Sequence, residues 1–147
     1  MTVRVATPSD VLAIHEMIVE LAIFEREEDA VINTPESLHK DLFERQICHA
    51  WIAEVDQNPV AFALYYFGYS TWKGPILYLE DLYVKETHRK SGIGQVLFNK
   101  VVEIAKEAGV KRMDWQVLAW NASAIAFYQK NKSILDDEWI NGRLFFE

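Results

Sequence analysis

Two short stretches carry residues able to do chemistry. Arg89-Lys90-Ser91-Gly92-Ile93-Gly94 joins an apolar run, Ile76 to Val84, to an amphipathic segment, Gln95 to Ala108. The first amide N–H groups of a helix have no partner inside it and the dipole there is positive, so such a junction suits a phosphate. Gly92 and Gly94 add no side chain, which lets a ligand approach the main chain closely. The pattern reads as a cradle for a phosphorylated cofactor. Within the apolar run, Glu80 and Asp81 are adjacent carboxylates where burial without a partner is costly. Neighbours in a regular strand face opposite ways, which predicts different jobs for the two. Pairing with buried cations, or capping a bulge, would also explain them.

The flanking sequence predicts the elements that position these residues. Thr2 to Ala6 reads as a short strand, and Thr7-Pro8-Ser9-Asp10 offers helix-starting residues. Val11, Ile14, Met17, Ile18 and Leu21 recur at helical spacing, which predicts a helix to about Phe24, followed by acidic Glu25, Glu27, Glu28 and Asp29. Thr34 and Pro35 fit the cap and first turn of a second helix carrying Leu38 and Leu42. Strands are expected at His49–Val55 and Val60–Phe67 around an Asp56–Pro59 turn, with Gly68–Pro75 as a loop. After Ile76–Val84 and the glycine loop, a helix should bury Leu97, Val101, Ile104 and Ala108 and stop at Gly109. Arg112–Leu118 reads as a strand, Asn121 as the cap of a helix through Lys130, and Ser133–Phe146 as a hairpin about Asn141-Gly142.

A strand, helix and strand in succession need a crossover, so the two strands flanking the glycine loop and its helix should be parallel, and the hairpins make the rest antiparallel. The expected class is a mixed α/β (α+β) fold, with a mostly antiparallel sheet and helices on both faces. At 147 residues, with no repeat or linker, the chain should be one domain, 1–147.

Composition narrows the function classes. The net charge of −7 argues against a nucleic-acid partner. It favours a cationic one, although solubility alone would account for it. Cys48 is the only cysteine, so no internal disulfide can form and a reducing compartment fits; it reads as a packed thiol. The start of the chain shows no signal-peptide core and no apolar run long enough to span a bilayer, so a cytoplasmic protein with no membrane partner is expected. His15, His39, His49 and His88 show no ligand spacing, so no metal is expected.

The loop lacks the Gly-Lys-Ser/Thr ending of a nucleoside-triphosphate loop, because Gln95-Val96 follow Gly94. It also fails the dinucleotide pattern, with Leu97 at the third small position. The order Arg/Gln-x-x-Gly-x-Gly/Ala resembles the acetyl-CoA loop of the GNAT N-acetyltransferases. Trp120-Asn121-Ala122-Ser123-Ala124-Ile125-Ala126-Phe127-Tyr128 resembles that family's later motif, one strand further on. Three further stretches resemble the spermidine/spermine and thialysine acetyltransferase branch: Glu20–Glu25, Phe62–Phe67 and Tyr78–Val84. The resemblance covers nearly the whole chain, in order.

The resemblance implies a central parallel strand pair, Ile76–Val84 and Arg112–Leu118, that splays apart to take acetyl-CoA as cosubstrate. Main-chain amides from Arg89 through Lys90, Ser91, Gly92, Ile93 and Gly94 would hold the pyrophosphate. Leu82 and Val84 would offer strand backbone to the pantetheine arm, and Asn121 and Tyr128 would lie near the thioester. The implied activity is acetyl transfer to the primary amine of a small molecule, by a homodimer as in that branch.

An amine attacks a thioester only when neutral. With a pKa of about 10.4, only about one lysine-like amine in 2,500 is neutral at pH 7, a deficit of roughly 4–5 kcal/mol. A base or a pKa-lowering cleft must supply the difference, and the leaving thiolate benefits from a proton. Glu80 is expected to accept the amine's proton, through water, and Asp81 to bind the cationic substrate. Tyr128 takes the family's general-acid position, although an isolated helix aromatic is more often core. Glu25 is expected to help receive the amine, or else belongs to a solvated acidic loop. Trp72 would line the substrate mouth by facing a cation, or simply pack.

The chain departs from the branch pattern at two places. Ser70-Thr71-Trp72 stands where the branch has Asp-Pro-Trp, removing a carboxylate that would help hold a polyamine, so a smaller thialysine-like amine fits at least as well. Lys130-Asn131-Lys132-Ser133-Ile134 replaces Lys-x-Gly, and Asn131 suits the left-handed turn at a helix end. A protein N-acetyltransferase and a non-catalytic acyl-CoA sensor are the rival readings; a sensor would need neither Glu80 nor Tyr128.

Overall fold

A computed structural model describes residues 1–146, which fall into two compact units dividing after Gln116. The first unit holds a five-stranded sheet in the order β1-β2-β3-β4-β5: β1 Thr2–Val5, β2 His49–Val55, β3 Asn58–Ser70, β4 Gly74–Val84 and β5 Met113–Asp114. The first four strands pair antiparallel, and β5 runs parallel to β4. The fold class is the mixed, mostly antiparallel one expected.

Alternation along the strands builds two apolar faces. Ala50 and Ile52 of β2, Phe62 and Leu64 of β3 and Tyr83 of β4 pack with Val11, Ile14 and Met17 of helix α1, Val11–Phe24, and with Leu38 of α2, Pro35–His39. Leu42 joins them from a π turn, Lys40–Glu44, that continues α2. Helix α3, Ile93–Glu107, lies across β2, β3 and β4 and buries Ile93, Leu97, Phe98, Val101 and Ala105. Each such side chain, fully buried, contributes about 1.5–3 kcal/mol, so the face-to-face packing outweighs any single surface contact.

Local chemistry sets the ends of the elements. Thr34 Oγ1 accepts the Ser37 N–H at 3.2 Å and caps α2. Asp56 and Gln57, with φ of 52° and 66°, form the tight β2–β3 turn. Buried Asp10 takes a two-pronged bond from Arg4 at 2.7 and 2.9 Å, and Arg4 also reaches Glu54 at 3.2 Å, pinning β1 to β2 and to the start of α1. Cys48 packs at the edge of the core, where burial raises its pKa first and Asp41 raises it further.

Three expectations are corrected. The stretch 68–75 is not a loop: β3 runs to Ser70 and β4 starts at Gly74, leaving a three-residue tip, Thr71 to Lys73, folded by the Ser70 hydroxyl accepting from the Trp72 and Lys73 amides at 3.1 Å. The strand expected at Arg112–Leu118 shrinks to Met113–Asp114, paired with Leu77 and Tyr78 at the edge of the sheet rather than its centre. A register slip just beyond that point bends β4, which takes its backbone away from β5. No strand forms in residues 133–146, where Ile134, Trp139, Ile140 and Leu144 stay exposed; a lone two-stranded ribbon lacks a packed face to support it.

The second unit carries helix α4, Ala122–Lys130, capped by Asn121 Oδ1, which accepts the Ala124 N–H at 3.2 Å.

Candidate active site

The end of β4 turns through one short 3-10 turn, Glu86–His88, into the glycine loop. Lys90 and Gly92 take left-handed backbone, with φ of 63° and 85°. Gly92 is the N-cap of α3, and the first bond of that helix runs from Val96 N–H to the Gly92 carbonyl. The amides of Ile93 and Gly94 therefore precede the helix ladder. A Cβ on Gly92 would meet no atom within 4 Å, so the space before these amides is open. A Cβ on Gly94 would touch Val84 Cγ2 at 3.6 Å, so this glycine lies against the end of β4. Amides at a positive helix end, with Lys90 beside them, form a donor set that fits a diphosphate.

Not every residue of the loop is turned to that task. The Arg89 amide bonds back to Glu86 O at 3.4 Å, so the donors toward a phosphate reduce to the loop beyond it. The Arg89 side chain also points backward. Its Nε donates to Val84 O at 3.0 Å, and its guanidinium lies over the rings of Phe24 and Tyr83, at 5.2 and 5.5 Å from their centres. Ser91 Oγ donates to the His88 carbonyl and closes the turn.

Lys85 N–H bonds to Val60 O at 2.8 Å, which fixes the phase of the β3–β4 ladder. By alternation, the N–H and C=O groups of Leu82 and Val84 point away from β3. The β5 ladder covers only Leu77 and Tyr78, so it does not extend to them. Leu82 and Val84 thus present strand backbone on one edge, with the Val84 carbonyl already bonded to Arg89.

Glu80 sits at the register slip. Leu64 pairs with Asp81 while Tyr65 pairs with Leu79, so Glu80 is the extra residue on β4. This corrects the expectation that Glu80 and Asp81 face opposite ways. The bulge breaks the alternation, and Asp81, Glu80 and Glu25 come within each other's fields: Asp81 feels Glu80 and Glu25, and Glu25 feels Glu27 and Glu80. Desolvation, then these two like charges, push the Asp81 carboxyl up to about 7. Burial, then Glu27 and Glu80, raise Glu25 above the usual carboxylate range. Glu80 is exposed by area, yet desolvation by the surrounding protein raises its carboxyl above the usual range, the direction that makes a carboxylate a stronger base. Asp81, Glu25 and Glu27 border a hollow of about 190 Å³ whose other walls are apolar: Ile18, Leu21, Ala22, Ala30 and Val31. Acidic groups on apolar walls suit the cationic end and aliphatic body of an amine.

A polar clasp ties α1 to the end of β4 beside this hollow. Glu20, one turn before the end of α1, accepts the Tyr83 hydroxyl at 2.9 Å and Lys85 Nζ at 2.8 Å. Burial alone would raise the Glu20 pKa, but the Lys85 and Tyr83 bonds outweigh it and hold Glu20 below the usual range. Sequence reasoning quoted Glu20 only as part of a motif and missed the clasp. Glu16 and Glu20, one turn apart on a helix, with a lysine ending a strand, were the available signal.

The structure thus brings Glu25, at the end of α1, close to Glu80 and Asp81 on the strand that leads to the loop. It does not bring Trp72 to them. Trp72 is exposed at the hairpin tip, and the seven β4 residues from Gly74 to Glu80 span ~20 Å of extended chain. Asn121 and Tyr128 lie in the second unit, where Asn121 caps α4 and Tyr128 is buried near its C-terminal end, edge-on to Phe127 at 5.3 Å between ring centres.

Comparison with known proteins bears on these features together. Residues 13–132 match the model of the acetyltransferase (GNAT) family. A thialysine N-epsilon-acetyltransferase of Caenorhabditis elegans is 41% identical over 122 residues, covering 83% of this chain and 76% of that protein. One of Bos taurus is 39% identical over 136 residues, covering 86% of this chain and 80% of that protein. Among solved structures, an aminoglycoside acetyltransferase from an uncultured soil metagenomic sample superposes with a TM-score of 0.81 at 18% identity, covering 99% of this chain and 96% of that one; at that identity the likeness shows the fold alone.

Proposed function

The chain belongs to the acetyltransferase (GNAT) family, and from that premise we propose that it is an N-acetyltransferase moving the acetyl group of acetyl-CoA directly to the primary amine of a small molecule. The amine is a diamine, a polyamine or a thialysine-like amino acid, in keeping with the relatives' names. The observation that carries the reading is the bulge at Glu80: it gathers carboxylates beside an apolar hollow on the strand that ends in the glycine loop.

Bound acetyl-CoA supplies an activated acyl thioester. The amides of Lys90 to Gly94 would hold its diphosphate, and the backbone of Leu82 and Val84 its extended arm. Asp81 and Glu25 receive the ammonium form of the amine. Glu80, with its raised pKa, takes the amine's proton, directly or through one water, so that nitrogen can attack. Tyr128 donates a proton to the departing thiolate, and Asn121 shapes the start of its helix.

The family model spans the division after Gln116, which supports treating residues 1–147 as one acetyltransferase domain. The single cysteine supports a cytoplasmic setting. Exposed Tyr69 and Trp72 on one hairpin support burial of that surface in a homodimer.

A panel of diamines, polyamines and amino acids, assayed with acetyl-CoA by released thiol, tests this. Turnover on at least one small amine is expected. Binding of acetyl-CoA with no turnover on any amine would convert the reading to a sensor, and no binding would end it.

A further inference from the structure

The Arg89 guanidinium turns back from the glycine loop toward the strand end that leads into it. Its three contacts belong to three places: the last carbonyl of β4, the Tyr83 ring on that strand, and the Phe24 ring that ends α1. Both ring distances lie inside the range of a cation–π attraction, and a planar guanidinium can face two rings while its Nε bonds a carbonyl. Phe24 is 40% exposed, at the last position of α1. The next residue is Glu25, one of the acids of the amine hollow. Tyr83 is tied to α1 a second time through Glu20.

We propose that Arg89 is a positioning residue that couples the nucleotide loop to the amine site, by fixing the Phe24–Glu25 end of α1 against the strand end from which the loop departs. The inference rests on the function proposed above and deepens it: movement of the loop on holding a diphosphate is transmitted to Glu25 through one side chain. Coupling of this kind acts on both ligands equally. A lysine cannot replace it, because an ammonium has neither the plane nor the fixed fork.

The test compares Arg89→Ala, Arg89→Lys, Phe24→Ala and the Arg89→Ala/Phe24→Ala double variant, each checked for an intact melting transition. For the amine that the wild type acetylates best, each single alanine variant should raise KM about tenfold with kcat within about twofold, and the double variant should be no worse than either single, as expected for residues acting through one contact. Arg89→Lys should recover little. Acetyl-CoA affinity by calorimetry should fall less than about threefold. A loss of acetyl-CoA affinity beyond tenfold with an unchanged amine KM would overturn the proposal, since it would make Arg89 a phosphate ligand; so would additive effects in the double variant. A second measurement needs no turnover: in the ligand-free protein, amide exchange at residues 24–27 should speed up about tenfold in Arg89→Ala. Unchanged exchange would overturn the coupling while leaving the acetyltransferase reading intact, whereas a wild type that turns over no amine would defeat that reading instead.

Discussion

Glu25 and Asp81 set like charges against one hollow, from the end of a helix and the middle of a strand, and among the described residues no cation lines it. Desolvation first, and then the like charges of Glu80 and Glu25, push the Asp81 carboxyl up to about 7. A cationic amine should therefore bind better as pH rises through 7, where Asp81 becomes charged, while the amine itself stays protonated to about pH 10. KM measured from pH 6 to 8.5 should fall in the wild type and stay flat in Asp81→Asn. Stability should respond with the opposite sense. Between the ordinary pKa of 3.8 and about 7 the folded state holds a proton that the unfolded state has released, so stability declines as pH rises through that window. Asp81→Asn should remove the decline and gain on the order of 1–4 kcal/mol at pH 8 in denaturant titrations.

Glu80→Gln removes the carboxylate proposed as the base without a change of size. Turnover at pH 7 should drop about a hundredfold or more, with partial recovery at high pH, where neutral amine is already abundant. A pH–rate profile of the two proteins reads this directly. Wild-type turnover at neutral pH would eliminate Glu80 from the chemistry.

Tyr128→Phe deletes one hydroxyl and keeps the ring edge-on to Phe127. Acetyl transfer should slow by about 10–100-fold with acetyl-CoA affinity near normal. Single-turnover release of thiol beside calorimetry separates the two quantities.

Gly92→Ala places a Cβ at φ of 85°, where it meets no atom of the protein but stands in the approach to the loop amides. Backbone strain of about 1–2 kcal/mol should lower the melting point, and acetyl-CoA affinity should fall about tenfold or more. Gly109→Ala is the control. Its φ of 76° is just as unfavourable and its Cβ equally unobstructed, but it ends α3 far along the chain from the loop. It should lose similar stability and no affinity.

Much of this architecture is legible in the residues alone. Helical spacing from Val11 to Leu21 locates α1 to its last residue, Thr34-Pro35 starts α2, Gly109 stops α3, and Asn121 caps α4, because each signal is local. The glycine loop and the carboxylate pair can be read for the same reason. The β3–β4 tip escapes reading because Gly68, Ser70 and Gly74 look like loop residues, while cross-strand pairing from Gly68–Ile76 to Ser70–Gly74 overrides them. The hairpin expected near Asn141 fails because its turn and alternation say nothing about whether a sheet is there to receive it. The orientation of Glu80 and Asp81 is hidden for a similar reason. A slip of register belongs to two strands at once, and the sequence of one strand does not record it. The reach of Arg89 back to Phe24 is equally hidden, since the contact spans elements far apart in the chain.

The slip at Glu80 also separates what this strand needs for folding from what it needs for chemistry. Before it, the helix-facing positions on β4 fall on even numbers, with Tyr78 stacked on Tyr66; after it they fall on odd ones, Asp81 and Tyr83. A chain lacking residue 80 would restore an unbroken count, keep each half against its present neighbours, and make a straighter, better-paired ribbon. Such a protein would gain order and, in the same deletion, lose the carboxylate proposed as its base.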